Sequence, residues 1–469
     1  MTQRISPSLL WRRARLVVSR LGWGVADQGM CSLTNFLLSI YVARTLGATQ
    51  FGAFSLAYVT YGFAINASRG LSIEPLLIRF SNTQMKTWRR AASQSAGTAL
   101  VVGLATGTCA LAAAALIGGT TGHAFLALGL MMPALLLQDS WRYAFFAVQK
   151  GHHALVNDTL WVLVQFPLLV FLKTTGHADV FWFVIAWGAG ATAGSVLGCF
   201  QARVVPSVVG ATAWLIRHRD LGPRYLVENT GNNAASTVQS YGVSSLLGVT
   251  DVGYISAANV LMGPFRIIYF GISMITIPEA VKLLRRTPRQ LPRFCVAVSV
   301  GLAALALTWA GVLVVGLPLG LGRLMLGSIW RPAYPLVIPT ALSTVVSCAA
   351  TGAGIGLHAM GAARRSVRST LIGAVISVAL ALVGAAVWGM IGTVLLAAVG
   401  TLISMAISWH FFVRAMQESG RVPVPRWMAV TMGGRRPGGG ASPPPPARVV
   451  ATGGRDREAA GQVRQGNSH

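Results

Sequence analysis

Residues 46–57 read LGATQFGAFSLA and residues 247–258 read LGVTDVGYISAA, so the second stretch repeats the first at an offset of 201 residues. Without gaps, the two copies share Leu46/Leu247, Gly47/Gly248, Thr49/Thr250, Gly52/Gly253, Ser55/Ser256 and Ala57/Ala258. Each copy is a polar turn with two glycines between two apolar runs. Because self-similarity at a fixed offset indicates a duplicated architecture, the repeat predicts a protein built from two like halves.

The same offset extends back into the preceding apolar run. There it aligns Asp27 with Glu228 and Gln28 with Asn229. We therefore expect the two halves to carry an acid at matching depths of equivalent helices.

The composition is that of a membrane protein. Of the 469 residues, 54% are hydrophobic and 11% are charged, and the mean hydropathy is +0.60, whereas soluble domains average about 25% charged residues. Apolar runs long enough to cross about 30 Å of hydrocarbon recur along the chain. These runs do not alternate in polarity as β-barrel strands do. The predicted fold class is an all-α polytopic membrane protein of about 12 transmembrane helices in two pseudo-symmetric six-helix bundles.

The apolar runs predict twelve spans, at residues 21–43, 51–76, 93–118, 124–148, 154–174, 178–200, 224–247, 252–278, 294–317, 333–358, 367–388 and 390–413. A tight turn around Gly389 separates the last two. The predicted domains are a basic N-terminus (1–20), a first bundle (21–200), a linker (201–223), a second bundle (224–416) and a disordered Gly/Pro/Arg-rich tail (417–469). The Trp and Arg residues of the linker suit a helix that lies at the lipid headgroups.

The distribution of basic residues predicts the orientation. In this topology, 22 Lys and Arg residues fall on the cytoplasmic side of the first eleven spans, nine more follow the last span, and four fall outside. The positive-inside rule therefore puts both termini in the cytoplasm. With six spans in each half, the halves have the same orientation, and a pseudo-two-fold axis along the membrane normal relates them.

Several classes of function are excluded. The net charge of +26 lies in loops and tails without a nucleic-acid-binding motif, so we expect no nucleic-acid partner. The five cysteines are scattered in apolar runs, which gives no disulfide framework and no metal site. No catalytic motif is present. We therefore expect neither an enzyme nor a cofactor.

Ionisable residues inside the spans are the main functional signal, because each costs about 2.5–3.5 kcal/mol to place at a helix centre. They are Asp27, Arg69, Glu74, Asp139, Arg142 and Arg266, with Glu228 added by the repeat. Unless these residues face water or one another, the chain could not fold stably, which favours a polar cavity between the halves. Asp139 and Arg142, three residues apart, can pair on one helix. Arg69 and Arg266 have no acid within one helical turn.

Part of the sequence resembles a known family. The run ADQGMCSLTNFLLSIYVARTLGATQFGAFSLAYVTYGF (26–63), ENTGNN (228–233), GVTDVGYISAANVLMGP (248–264) and Pro278 resemble bacterial polysaccharide and O-antigen flippases of the multidrug/oligosaccharidyl-lipid/polysaccharide (MOP) exporter superfamily. The resemblance covers about residues 20–415 and is a diffuse pattern with no single diagnostic motif. It implies two six-helix bundles around a central cavity and transport by alternating access in the bacterial plasma membrane.

The resemblance also implies a substrate, a polyprenyl-(pyro)phosphate-linked saccharide, with the lipid bilayer and envelope polysaccharide assembly proteins as partners. The predicted substrate-binding residues are Arg69, Arg142, Arg266, Asn66 and Asn232, and the predicted ion-coupling residues are Asp27, Glu228 and Asp139. Two alternatives remain at this point, a multidrug exporter of the same superfamily and a non-transporting scaffold. A net positive cavity favours the flippase over the exporter.

Overall fold

The computed structural model describes residues 7–81 and 83–420. For residues 7–21, 25, 232, 270, 273, 274 and 363, only the backbone is described. The predicted tail lies outside the described residues from position 421 onward, as do the first six residues of the basic N-terminus.

The first half of the chain is a series of long helices joined by short turns. These are α1 (Pro7–Leu46), α2 (Ala48–Ser68), a π-helical turn (Arg69–Ile73), α3 (Glu74–Phe80), α4 (Met85–Ile117), α5 (Gly119–Ala147), α6 (Gly151–Thr174) and α7 (Val180–Ala202). α5 packs along α4 and α7, and α6 packs along α7.

A short helix, α8 (Val208–Arg217), follows within the predicted linker. The amide of Ser207, which caps α8, donates to the Ser93 carbonyl oxygen (2.9 Å). Further along, the Trp214 indole donates to the Leu71 carbonyl oxygen (3.2 Å). These bonds fix α8 against the first half. Its position at the lipid headgroups stays a prediction.

The second half follows the same plan. Its helices are α9 (Gly222–Leu247), α10 (Val249–Leu261), α11 (Gly263–Arg286), a 3₁₀ turn (Pro288–Gln290), α12 (Leu291–Gly316), a π-helical turn (Leu317–Leu321), α13 (Gly322–Leu326), α14 (Trp330–Ala359) and α15 (Ala363–Ser419). α15 bends at Trp388 and Gly389, where the backbone leaves helical geometry. The predicted tight turn at Gly389 is confirmed.

The all-α polytopic membrane fold is confirmed, since helices of the described part of the chain cover all twelve predicted spans. Seven described helices are long and apolar enough to cross a membrane by length and composition, namely α4, α5, α6, α7, α12 with its extensions, α14 and α15. Four predicted spans remain, the first, second, seventh and eighth. They correspond to α1, α2, α9 and the pair α10–α11. These are the helices that carry the repeat; α1 and α9 are richer in polar residues, and α10 has only 13 residues.

The two copies of the repeat contact each other where α2 crosses α10. Gly47 and Gly248 precede these helices in the same backbone conformation, with φ of 79° and 92°. The hydroxyl groups of the equivalent residues Thr49 and Thr250 are hydrogen-bonded (2.9 Å).

The second glycine of each copy allows the close crossing. A Cβ atom at Gly52 would overlap the carbonyl of Val249, and one at Gly253 would overlap the carbonyl of Ala48, the residue equivalent to Val249. The contact is therefore reciprocal, with equivalent residues of the two copies in equivalent positions.

Candidate functional site

A central cavity of about 660 Å³ lies among α1, α2, α9, α10, α11, α14 and α15. Most of its polar lining is uncharged hydroxyl and amide groups, contributed by Ser32, Asn35, Ser39, Ser55, Ser236, Gln239, Ser240, Ser256, Asn259, Thr340, Ser343, Thr344, Ser347, Ser377 and Thr401. Helices that face such a cavity need fewer apolar residues than helices that face lipid on all sides. The lining accounts for the polar character of the helices that carry the repeat.

Arg266 is the single charged residue among the described residues that line the central cavity. It is exposed, in the first turn of α11, directly after the break at Met262 and Gly263 that separates this helix from α10. None of the described carboxylates forms an ion pair with Arg266. The charge of the cavity lining is therefore net positive. The guanidinium group of Arg266 is free to contact a ligand.

A smaller pocket of about 250 Å³, which we call the side pocket, adjoins the central cavity inside the first half. The two spaces share Asn35 and Tyr58 as lining residues. The wall of the side pocket contains buried charged residues from α5, α6 and the π-helical turn.

Four charged side chains of this wall form, together with Asp27, what we call the ionic cluster: Arg69, Asp139, Arg142 and Asp158. Arg69 donates through Nε and Nη2 to the two carboxylate oxygens of Asp139, each at 2.8 Å. Arg142 contacts Asp27 Oδ2 through Nε (2.7 Å) and Nη2 (2.5 Å), and its Nε lies 3.4 Å from Asp158 Oδ2. Three carboxylates therefore face two guanidinium groups, so the fully ionised cluster carries one excess negative charge.

Neutral groups complete the surroundings of Asp158. Gln138 Nε2 donates to Asp158 Oδ1 (2.7 Å), and the Cys31 thiol donates to Asp158 Oδ2 (2.8 Å). The Tyr143 ring lies 5.0 Å from the guanidinium carbon of Arg69.

Asp158 is not among the predicted site residues. The available signal was an Asn-Asp pair, at positions 157 and 158, inside the fifth predicted span.

The expected pairing of Asp139 with Arg142 along α5 is wrong. Asp139 pairs with Arg69 of the π-helical turn, and Arg142 pairs with Asp27 of α1 and Asp158 of α6. Neighbouring helices can present a carboxylate to both ends of the guanidinium fork, which gives stronger bonds than an i, i+3 contact allows. Arg69 and Arg266 have no acid within one turn of their own helices, but Arg69 finds its counter-charge on α5, whereas Arg266 has no carboxylate partner among the described residues.

The predicted equivalence of Asp27 and Glu228 holds for position but not for environment. Each lies the same number of residues before the leucine that ends its helix, Leu46 or Leu247. Asp27 is fully buried, whereas Glu228 is exposed. The second half therefore has no equivalent of the Asp27–Arg142 ion pair at Glu228.

Of the two predicted asparagines, Asn66 lines neither of the two spaces. Asn66 donates to the carbonyl oxygen of Gly62 on its own helix (2.7 Å). The side chain of Asn232 lies outside the described ones.

Comparison with known proteins identifies the fold. No family model and no curated protein matches the sequence. Among solved structures, an inward-facing multidrug resistance MATE family transporter of the MOP superfamily matches with a TM-score of 0.62 and 14% identity, over 83% of this chain and 95% of that chain. The inward closed conformation of the lipid II flippase MurJ matches with a TM-score of 0.62 and 10% identity, over 88% and 95%.

An outward-facing MATE family transporter also matches, with a TM-score of 0.51 and 13% identity over 86% of this chain and 96% of that chain. At these identities the similarity defines the fold alone. The chain therefore shares the polytopic fold of MATE transporters and of MurJ.

Proposed function

We propose that this protein translocates a polyprenyl-(pyro)phosphate-linked oligosaccharide or polysaccharide precursor across the bacterial plasma membrane. The observation that carries the proposal is the free guanidinium group of Arg266 in a cavity otherwise lined by hydroxyl and amide groups. A net positive cavity suits an anionic substrate and does not suit the organic cations of a drug exporter.

The chemistry of the lining matches the parts of such a headgroup. A guanidinium group donates two parallel hydrogen bonds to a phosphate, which gives both affinity and orientation. The hydroxyl and amide groups can exchange hydrogen bonds with the sugar hydroxyls. Carrying these polar groups through hydrocarbon unaided is prohibitive, so the cavity replaces water around the headgroup while the polyprenyl tail stays in lipid.

The two-fold crossing of α2 and α10 supports an alternating-access cycle. This contact joins the two halves at the first turns of α2 and α10, directly after Gly47 and Gly248. In transporters built from two like halves, access alternates when the halves rock about a site near the membrane centre. The proposal includes cytoplasmic termini and a working association with envelope polysaccharide assembly proteins.

Variants of Arg266 test the proposal. We expect Arg266→Ala to abolish export of the cell's polysaccharide at normal membrane abundance, because Arg266 has no buried acid partner to leave unpaired. We expect Arg266→Lys to restore export only in part, because ammonium keeps the charge and loses the planar fork. Gln417→Ala, at an exposed position near the end of α15 that lines neither space, is the control and should retain full export. Full export with Arg266→Ala at normal abundance would refute the assignment.

A second candidate function is a multidrug exporter coupled to a cation gradient. It is favoured by the excess carboxylate of the ionic cluster, which can hold one proton or cation. Under this alternative, Asp27→Asn transports without responding to the pH gradient, whereas Glu228→Gln, at the exposed equivalent position, keeps the response. An unchanged response in both variants removes ion coupling from this pair.

A further inference from the structure

We infer that the side pocket is a subsite for a neutral sugar ring, the one attached to the phosphate that Arg266 binds. The inference rests on the proposed function, since it assigns the anionic part of the same substrate to the central cavity. It adds the position and chemical class of a second recognition site within the first half.

The first observation is an aromatic wall. The ring of Tyr61 lies edge-on to Trp187 with centroids 4.9 Å apart, and Tyr58 lies 5.7 Å from the same indole. All three side chains line the side pocket. Flat aromatic surfaces of this kind cover the apolar C–H faces of a sugar ring and keep the polar ring edge free for hydrogen bonds.

The second observation is a set of polar groups without partners. Gln165 lines the side pocket and is fully buried, and neither its Nε2 nor its Oε1 has a hydrogen-bond partner among the described residues. Leaving a buried polar group unpaired costs about 1–3 kcal/mol, and such groups in native structures require an explanation. A hydroxyl-bearing ligand at this wall supplies donors and acceptors close to the amide.

The third observation concerns charge. The arginines of the side pocket, Arg69 and Arg142, both have their guanidinium groups committed to carboxylates of the ionic cluster. Neither is free for a phosphate. The side pocket thus combines aromatic faces and amide groups with arginines that are already paired, and this suits a neutral polar ring.

The fourth observation is continuity with the anion site. Tyr58 and Asn35 line the side pocket and the central cavity alike, and Arg266 lines the central cavity with them. A phosphate on Arg266 and a sugar against Tyr58 can therefore belong to one molecule. The first sugar then enters the side pocket, while the rest of the saccharide occupies the larger hydroxyl-lined space.

The test is a binding measurement on the purified full-length protein in detergent. Saturation-transfer difference NMR detects weak ligands, and the probes are glucose and N-acetylglucosamine for the subsite, inorganic pyrophosphate for Arg266, and tetraphenylphosphonium as an organic cation. We expect saturable binding of at least one neutral sugar. Gln165→Met should weaken it about tenfold, the loss expected for hydrogen bonds to one neutral amide.

Two further variants keep the test decisive. Tyr61→Phe retains the aromatic ring and removes the hydroxyl, and we expect it to weaken sugar binding severalfold. Gln239→Met makes the same chemical change as Gln165→Met on the lining of the central cavity alone, so it should weaken binding of a single sugar less than Gln165→Met does. Gln165→Met is expected to fold, because its amide bonds to none of the described residues and methionine has a similar shape.

The outcomes separate the subsite from the proposed function. Pyrophosphate binding should be lost in Arg266→Ala and retained in Gln165→Met, and a failure of the first expectation counts against the proposed function alone. The sugar subsite is refuted if no neutral sugar saturates, or if Gln239→Met weakens sugar binding as much as Gln165→Met. It is also refuted if Gln165→Met abolishes binding of tetraphenylphosphonium instead of sugar.

Discussion

Arg69 and Arg266 look alike in the sequence, since each is an arginine in a predicted span with no acid within one helical turn. The structure separates them. Arg69 forms a two-point ion pair with Asp139, which lies 70 positions further along the chain, whereas Arg266 has no described carboxylate partner. Spacing rules for a single helix cannot find a partner on another helix. The cost of a buried charge marked both residues as candidates, and only the fold distinguishes their surroundings.

The same limit applies to Asp158. An acid five residues into a predicted span can be taken for a residue of the membrane interface. The packing of α6 beside α1 and α5 places it instead against Arg142 and Cys31. The composition of the ionic cluster therefore depends on the arrangement of α1, α5, α6 and the π-helical turn.

For Arg69 we expect a structural effect. Arg69→Ala leaves the Asp139 carboxylate buried and unpaired, and breaking a buried pair costs about 3–5 kcal/mol. The amount of protein in the membrane should fall markedly, and the double variant Arg69→Ala/Asp139→Asn should recover part of it. Immunoblots of membrane fractions measure the effect.

The control for this prediction is the exposed ion pair of Arg79 and Asp220. Exposed pairs contribute about 0–1 kcal/mol, so Arg79→Ala should leave the abundance near that of the wild type. Normal abundance of Arg69→Ala together with loss of export would contradict the structural role and favour a direct role in substrate binding.

At the scale of elements, the repeat predicted two equivalent helices with identical glycine turns, and α2 and α10 confirm it. The direct contact between the two copies was beyond sequence reasoning, since a repeat shows equivalence and says nothing about adjacency. The π-helical turn that begins at Arg69 was equally hidden, because one extra residue in a helical turn leaves no compositional signal.

The close crossing of α2 and α10 predicts a specific sensitivity. Gly52→Ala adds a Cβ atom that overlaps the Val249 carbonyl, so the helices must separate. We expect a loss of about 1–3 kcal/mol in stability, as for other overpacked sites, seen as a lower temperature of thermal unfolding in detergent.

Gly62→Ala is the matched control, since it lies on the same helix with no atom near the added Cβ. Alanine is the better helix former, so this variant should be neutral or slightly stabilising. Equal unfolding temperatures for the two variants would show that the crossing is not as close as described.

At the scale of the whole molecule, the distribution of basic residues predicts the orientation. In a background without native cysteines, Thr87→Cys and Thr287→Cys should resist an impermeant thiol reagent in intact cells, whereas Thr49→Cys should react. All three positions are exposed in the structure. A difference in labelling therefore reports the side of the membrane on which each position lies. Labelling of all three, or of Thr87→Cys alone, would overturn the topology.

The most direct measurement is transport by the purified protein in liposomes. A fluorescent undecaprenyl-diphosphate-linked saccharide and tetraphenylphosphonium are offered separately to vesicles that contain equal amounts of wild-type protein or Arg266→Ala. We predict that the wild type moves the lipid-linked saccharide and not the cation. Arg266→Ala should be slower by about tenfold or more, as expected for the loss of a charged hydrogen bond. Wild-type rates with Arg266→Ala, or transport of the cation in place of the saccharide, would contradict a cavity built around this arginine to carry an anionic headgroup.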